Sequence, residues 1–112
     1  MHVLLLCNDL MTTSQIESAV RAAGGNISVA TTVAEPQAET APPDVVIIDL
    51  STAADFSDTV ERLRKFTPTP RIIAFGSHVP AGKLSAAREA GCDEVFTRGQ
   101  FLPNVAGLLS ET

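Results

Sequence analysis

The sequence is poor in the residues on which several kinds of binding site depend. It has no Trp and no Tyr, and its five Phe are too few for a platform that stacks nucleic-acid bases. Lys and Arg together number 8 against 13 Asp and Glu, which leaves a net charge of −5. Because no basic stripe is available for phosphate contacts, the composition argues against nucleic-acid binding.

Cysteines and long apolar runs are also scarce. The two cysteines, Cys7 and Cys92, lack the spacing of a metal site and are too few for a disulfide framework. The apolar start, Val3 to Leu6, is too short for a signal-peptide core or a membrane span. These absences predict a cytoplasmic protein that does not associate with membranes.

The residues that are present favour one α/β domain over 1–112, since 45% of them are apolar and strand-like and helix-like segments alternate. Strands are predicted at 2–7, 27–32, 45–49, 71–75 and 94–97. Helices are predicted at 14–24, opened by a Ser14–Glu17 capping box, at 56–66, at 81–90 and after Pro103. The stretch 33–43 contains three prolines and leaves room for only one or two helical turns.

Asp49 is the most informative residue of the chain. It closes the run Pro43-Asp44-Val45-Val46-Ile47-Ile48-Asp49-Leu50. Four consecutive β-branched apolar residues are typical of a strand that is buried on both faces of a parallel sheet. The carboxyl ends of such strands form the ligand crevice of open α/β sheets. Asp49 is therefore either a reactive or metal-binding acid, or the cap of the segment that follows.

Polar side chains follow the other predicted strands at the same edge of the sheet. They are Cys7, Asn8 and Asp9 after the first strand, Ser51 and Thr52 after the third, Ser77 and His78 after the fourth, and Thr97 and Arg98 after the fifth. Parallel strands bring their carboxyl ends together, so these groups are expected to converge around Asp49.

Two motifs resemble segments of the receiver domains of bacterial two-component response regulators, the CheY-like domains. They are the run from Pro43 to Leu50 and Ala90-Gly91-Cys92-Asp93-Glu94-Val95-Phe96-Thr97-Arg98. The resemblance spans nearly the whole chain. It implies a doubly wound, flavodoxin-like sheet of five parallel strands in the order 2-1-3-4-5, here with a shortened second helix at 33–43. It also implies phosphotransfer from a histidine kinase to Asp49, with Mg²⁺ held by an acid pair after the first strand.

Several positions on which the family's chemistry depends hold other residues here. The acid pair falls on Cys7 and Asn8, the phosphate-contacting hydroxyl on Gly76, the lysine on Arg98 and the aromatic switch on Val95. Asp9 and Ser77 each come one step late. Mg²⁺ prefers carboxylate oxygens, so a thiol and an amide would leave the charge on a transferring phosphoryl group poorly neutralised. We interpret the chain as an atypical, degenerate receiver.

Three functional hypotheses remain open. The first is a stand-alone receiver-like signalling domain that acts through protein contacts, without standard Mg²⁺-dependent phosphorylation. Its partner would be a histidine kinase, a downstream effector or a second copy, bound at the face formed by 81–98. The second is a phosphorylation-competent receiver with Asp49 as phosphoacceptor, Ser77 and Arg98 as phosphate contacts, and Mg²⁺ between Asp9 and Asp49. The third is a small-molecule or anion-binding module at the same edge.

Each of these residues also has a purely structural interpretation. Asp49 could form an ion pair with Arg98, and Asp9 could cap the first helix. Cys7 as a nucleophile activated by His78 would make the chain an enzyme, which is the least supported class, because a cysteine at the end of a buried strand is usually a small core residue.

Overall fold

The computed structural model describes residues 1–31, 41–52, 56–76 and 81–110. Its strands are β1 (His2–Leu6), β2 (Asn26–Ala30), β3 (Val45–Asp49), β4 (Arg71–Gly76) and β5 (Glu94–Thr97). Its helices are α1 (Leu10–Ala22), α2 (Phe56–Leu63), α3 (Ala81–Ala90), α4 (Arg98–Phe101) and α5 (Val105–Leu109), with a 3₁₀ turn at Leu102–Asn104 between the last two. None of these helices is long and apolar enough to cross a membrane.

The five strands form one parallel sheet in the order β2-β1-β3-β4-β5. This confirms the predicted doubly wound, flavodoxin-like architecture. β2 lies at one edge and β5 at the other, and the carboxyl ends of β1 and β3 are neighbours. The predicted short helix at 33–43 falls outside the described residues, apart from 41–43, which are not helical.

Apolar side chains fill both faces of the sheet. Val45, Val46, Ile47 and Ile48 of β3 are all 0% exposed, as expected of a strand covered on both sides. One core cluster joins the sheet to α2 and α3 through residues such as Leu63 and Ala87. The other joins the sheet to α1 and the last helix, and Asp49 ends the strand between them.

Two helices begin earlier than predicted. α1 starts at Leu10 with Asp9 as its N-cap, so the expected start at Ser14 is wrong. The C-terminal helical segment starts at Arg98, directly after β5, because Thr97 and Gln100 form a capping box. Arg98 is therefore the first residue of a helix, and Pro103 lies within the 3₁₀ turn that follows it.

Candidate functional site

The carboxylate of Asp49 is nearly covered and makes two hydrogen bonds to the protein. Asp49 ends β3 and is 6% exposed. Its Oδ1 accepts a hydrogen bond from the backbone N–H of Ser51 at 2.9 Å, and its Oδ2 accepts one from the Sγ of Cys7 at 3.4 Å. Both oxygens therefore have protein partners, which is what a buried carboxylate requires.

The neighbour that most distinguishes this site from a metal-binding acid cluster is the thiol of Cys7. Cys7 is 3% exposed, and its Sγ also lies 3.8 Å from the carbonyl oxygen of Asp9. Burial raises the pKa of the Cys7 thiol most. Hydrogen bonds with the backbone of Asp9 and with Thr13 lower this pKa, and the hydrogen bond to Asp49 and that residue's charge raise it by a smaller amount. A thiol of this kind stays protonated at neutral pH and donates to Asp49. It lacks the lowered pKa that a cysteine nucleophile needs.

A second contact joins the segment after β1 to the segment after β3. The backbone N–H of Asn8 donates to Oγ1 of Thr52 at 3.1 Å, and that hydroxyl donates to Oδ1 of Asn8 at 3.0 Å. The pair links the residue after β1 to the loop after β3. The single neutral oxygen that Asn8 could offer a metal ion is thus already engaged with Thr52.

Asp9 serves the helix that follows it. Its Oδ1 accepts from the N–H of Met11 at 3.2 Å, and its Oδ2 accepts from Oγ1 of Thr12 at 2.6 Å. The hydroxyl of Thr12 is the main cause of a lowered pKa for Asp9. The Nη1 of Arg98 lies 3.9 Å from Oδ2 of Asp9. Arg98 was expected beside Asp49, and within the described residues it pairs with Asp9 instead.

These donors do not fit a bound Mg²⁺. The family's acid-pair positions hold a protonated thiol and an amide that is engaged with Thr52, and Asp9 caps a helix. Mg²⁺ requires near-octahedral coordination by oxygen atoms. Asp49 alone, whose two oxygens already accept hydrogen bonds from the protein, does not provide it. Across 1–31, 41–52, 56–76 and 81–110, no three His, Cys, Asp or Glu side chains are grouped so that they could hold a metal ion.

Not every predicted site residue can be placed. Ser77 and His78 lie outside the described residues, so their role as contact candidates stays a prediction. Val95, at the family's aromatic switch position, is buried at 7% exposure in the core cluster of α2 and α3. On α3, Arg88 and Glu89 are exposed, and Nη2 of Arg88 donates to the carbonyl oxygen of Val95 at 3.4 Å.

A sequence search against protein-family models finds no match, and a search of curated proteins finds no similar sequence. Solved structures do match. A putative response regulator from Chloroflexus aurantiacus J-10-fl is 19% identical, with a TM-score of 0.77 over 98% of this chain and 94% of its own. The fold is that of response regulator receiver domains.

Two other receiver structures agree with this result. A CheY-like receiver domain protein from Methanospirillum hungatei JF-1 is 14% identical, with a TM-score of 0.78 over 98% of this chain and 90% of its own. The Mn²⁺-bound form of response regulator Rcp1 is 12% identical, with a TM-score of 0.71 over 97% and 91%. At such identities the likeness concerns the receiver fold, and the chemistry has to come from this chain's own residues.

The sequence offered no signal for two features of this region. The hydroxyl of Thr12, which is 1% exposed, holds Asp9 against its helix, but a Thr in a first helical turn is unremarkable in a sequence. The second feature is a groove between Phe96 of β5 and the helical segment that follows this strand. Its walls come from a helical segment that was expected to begin at Pro103 and begins at Arg98.

Proposed function

We propose that this chain is a receiver-like signalling domain that works by contact with another protein and not by standard Mg²⁺-dependent phosphorylation. The carrying observation is the hydrogen bond from the Cys7 thiol to Asp49, 3.4 Å long and buried. It lies where a standard receiver would hold a metal-binding acid. The signalling role is supported by the structural neighbours, which are described as response regulators and receiver domains.

The chemistry of phosphoryl transfer supports the non-phosphorylating half of the proposal. Transfer relies on a metal ion to bridge and neutralise the charged oxygens of the phosphoryl group. Here Asp49 is 6% exposed, and both of its oxygens already accept hydrogen bonds. A phosphoryl group on Oδ2 would have to displace the Cys7 thiol, and the thiol carries no charge to offset the one that arrives.

The contact surface we assign is the face formed by 81–98. α3 presents the exposed residues Gly82, Ser85, Arg88 and Glu89 along this face, and β5 is an edge strand beside it. The chain is taken as a single receiver-like domain over 1–112. A histidine kinase, a downstream effector or a second copy could occupy the surface, and the phosphorylation-competent receiver is the alternative function.

The phosphorylation half is tested with beryllofluoride and with a small phosphodonor, each with Mg²⁺, followed by mass spectrometry and NMR. We expect no adduct on the wild-type chain and no shift that depends on Asp49. The double variant Cys7→Asp with Asn8→Asp supplies the missing acid pair and should gain a Mg²⁺-dependent shift. Adding Asp49→Asn to that background is the control, since it should abolish the gain. A wild-type adduct that Asp49→Asn removes would overturn the proposal in favour of the alternative.

The contact half is tested by sedimentation velocity over a range of concentrations. Glu89→Arg reverses an exposed charge on α3, and Glu61→Arg makes the matched change on α2. Self-association that Glu89→Arg weakens and Glu61→Arg leaves unchanged would support a second copy at 81–98. A monomer at every concentration would overturn the self-associating form of the proposal and require a different protein as the partner.

A further inference from the structure

An open groove lies between β5 and the helical segment that follows it. It has a volume of about 500 Å³ and is lined by Phe96 from β5 and by Gln100, Asn104, Gly107 and Leu108 from the segment 98–109. None of the described strand-end residues around Asp49 lines it. Its volume lies within the range of small-molecule sites in proteins, roughly 300–1,000 Å³.

A column of three stacked phenylalanine rings ends at this groove. Phe75 and Phe101 stack with their ring centroids 4.8 Å apart and an interplanar angle of 12°, and Phe96 stacks on Phe101 at 6.2 Å and 24°. Phe75 and Phe101 are 1% and 0% exposed, whereas Phe96 is partly exposed and lines the groove. Aromatic rings favour such offset stacks, so a further flat ring is the natural continuation of the column.

Two carboxamides supply the polar part of the groove, and both are held in place. Oε1 of Gln100 accepts from the N–H of Thr97 at 3.0 Å, and Nδ2 of Asn104 donates to the carbonyl oxygen of Gln100 at 2.8 Å. Within the part of the chain that the structure describes, this leaves the Gln100 amide NH₂ and the Asn104 amide oxygen without a protein partner. One is a donor and the other an acceptor. Among the described residues, the five that line the groove carry no charge.

We infer that this groove binds an uncharged, planar ring compound that carries both a hydrogen-bond donor and an acceptor. The ring would stack on Phe96, its polar group would meet Gln100 and Asn104, and Leu108 would cover its edge. Because the described lining residues are uncharged, a neutral ligand is favoured: an ion would lose hydration without gaining a partner among them. The inference is independent of the phosphorylation half of the proposed function and holds for any outcome of the phosphorylation test.

The phenylalanines of a second copy of the chain do not supply that ring. The sequence has no Trp or Tyr, and its five Phe are all accounted for. Phe66, Phe75 and Phe101 are buried, Phe56 packs partly buried against the core cluster of α2 and α3, and Phe96 forms the groove itself. We take the occupant to be a separate molecule, and the size of the groove suits a small one.

Gly107 provides a variant that fills the groove without disturbing the fold. A Cβ added there meets no atom within 4 Å, and Gly107 lies in α5, where a larger residue raises helix propensity. Gly107→Leu should therefore fold and occupy the ligand's space. Gly82→Leu is the matched control: its added Cβ is also free of contacts, it too lies in a helix, and it does not line the groove.

The test is an NMR titration of the folded chain with three probes that differ in one property each. Benzamide has the flat ring and the neutral amide, cyclohexanecarboxamide lacks the flat ring, and benzoate carries a charge. We expect benzamide to cause saturable shifts in Phe96, Gln100 and Asn104, and each of the other two to bind several-fold more weakly. Gly107→Leu should weaken benzamide binding by roughly tenfold or more, and Gly82→Leu should leave it unchanged.

Three results would overturn the inference. The first is the absence of saturable shifts at the groove with benzamide. The second is equal binding of cyclohexanecarboxamide or benzoate, which would remove the ring or the neutrality from the argument. The third is an equal effect of the two glycine variants, which would show that the shifts do not come from this groove.

Discussion

The edge around Asp49 and the groove beside Phe96 involve the same sheet but differ in how their polar groups are hydrogen-bonded. At the edge, Asp49 is engaged by Cys7 and Ser51, and Asn8 is engaged by Thr52. In the groove, two carboxamides are fixed on one side and open on the other. The family resemblance draws attention to the first region, but the second has the space and the free hydrogen-bonding groups that a ligand needs.

This difference shows that the position of a residue in the fold does not by itself give that residue the family's chemistry. The receiver fold brings Asp49 to the carboxyl edge of the sheet whatever its neighbours are. Its capacity to react depends on Cys7 and Asn8, which stand where the metal-binding acids would be. No motif in the sequence predicted the groove. Its proposed ability to bind a flat ring depends on the stacked phenylalanines, the last of which is partly exposed.

The largest effect is expected from the buried member of the ring column. Phe101→Ala removes a ring that is 0% exposed between two stacked neighbours, and should lower the free energy of unfolding by about 3–5 kcal/mol. Phe96→Ala removes the partly exposed end and should cost only about 1–2 kcal/mol. Urea denaturation measures both values. Equal losses would mean that Phe96 is as much a core residue as Phe101, and the groove would lose its aromatic wall.

A medium effect is expected from the two thiols at alkaline pH. Burial raises the pKa of Cys7 from 9.0, and burial raises that of Cys92 to about 11. The unfolded chain therefore loses these protons first, and the stability they contribute is present below pH 9 and lost as the pH rises through the folded pKa values. For Cys92 the stability lost between the two pKa values should be about 1–2 kcal/mol, because solvent screens part of the thiolate's charge.

Variants separate the two thiols in a series of denaturation curves from pH 8 to pH 11. Cys7→Ala removes the share of the pH dependence that comes from the edge around Asp49, and Cys92→Ala removes the share from the other end of the sheet. The double variant should show the flattest curve. If Cys7→Ala leaves the slope unchanged, Cys7 is not held protonated in the fold, and the edge is less closed than its hydrogen bonds indicate.

Much of the fold could be predicted because the buried strands and helices at its centre consist of apolar and β-branched residues. The four β-branched residues that precede Asp49 predicted β3 with the bounds it has, and the prediction of a helix at 81–90 was equally close. The start of α1 could not be found in this way. Leu10 and Met11 are 85% and 73% exposed, so the first turn carries no apolar periodicity, and the Ser14–Glu17 pair resembled a start.

The residues of the candidate site could be predicted from the sequence, but the contacts between them could not. Parallel topology alone brings Cys7, Asn8 and Asp49 to neighbouring strand ends. The partner of Arg98 depends on where a helix begins, and a shift of a few residues turned it from Asp49 to Asp9. The groove depends on the same helix start, which is why no sequence pattern indicated it.

The smallest effects are expected at Asp9, and they distinguish a cap from an ion pair. Asp9→Ala removes the acceptor of the Met11 N–H and the Thr12 hydroxyl, and should lower the stability measurably, as the loss of an N-cap does. Arg98→Ala removes only a partly exposed partner at 3.9 Å and should cost less than about 0.5 kcal/mol. Asp9→Asn keeps the cap acceptor and loses the charge, so it should resemble Arg98→Ala. If Asp9→Asn costs as much as Asp9→Ala, charge and not capping holds Asp9, and Arg98 matters more to this edge than its distance indicates.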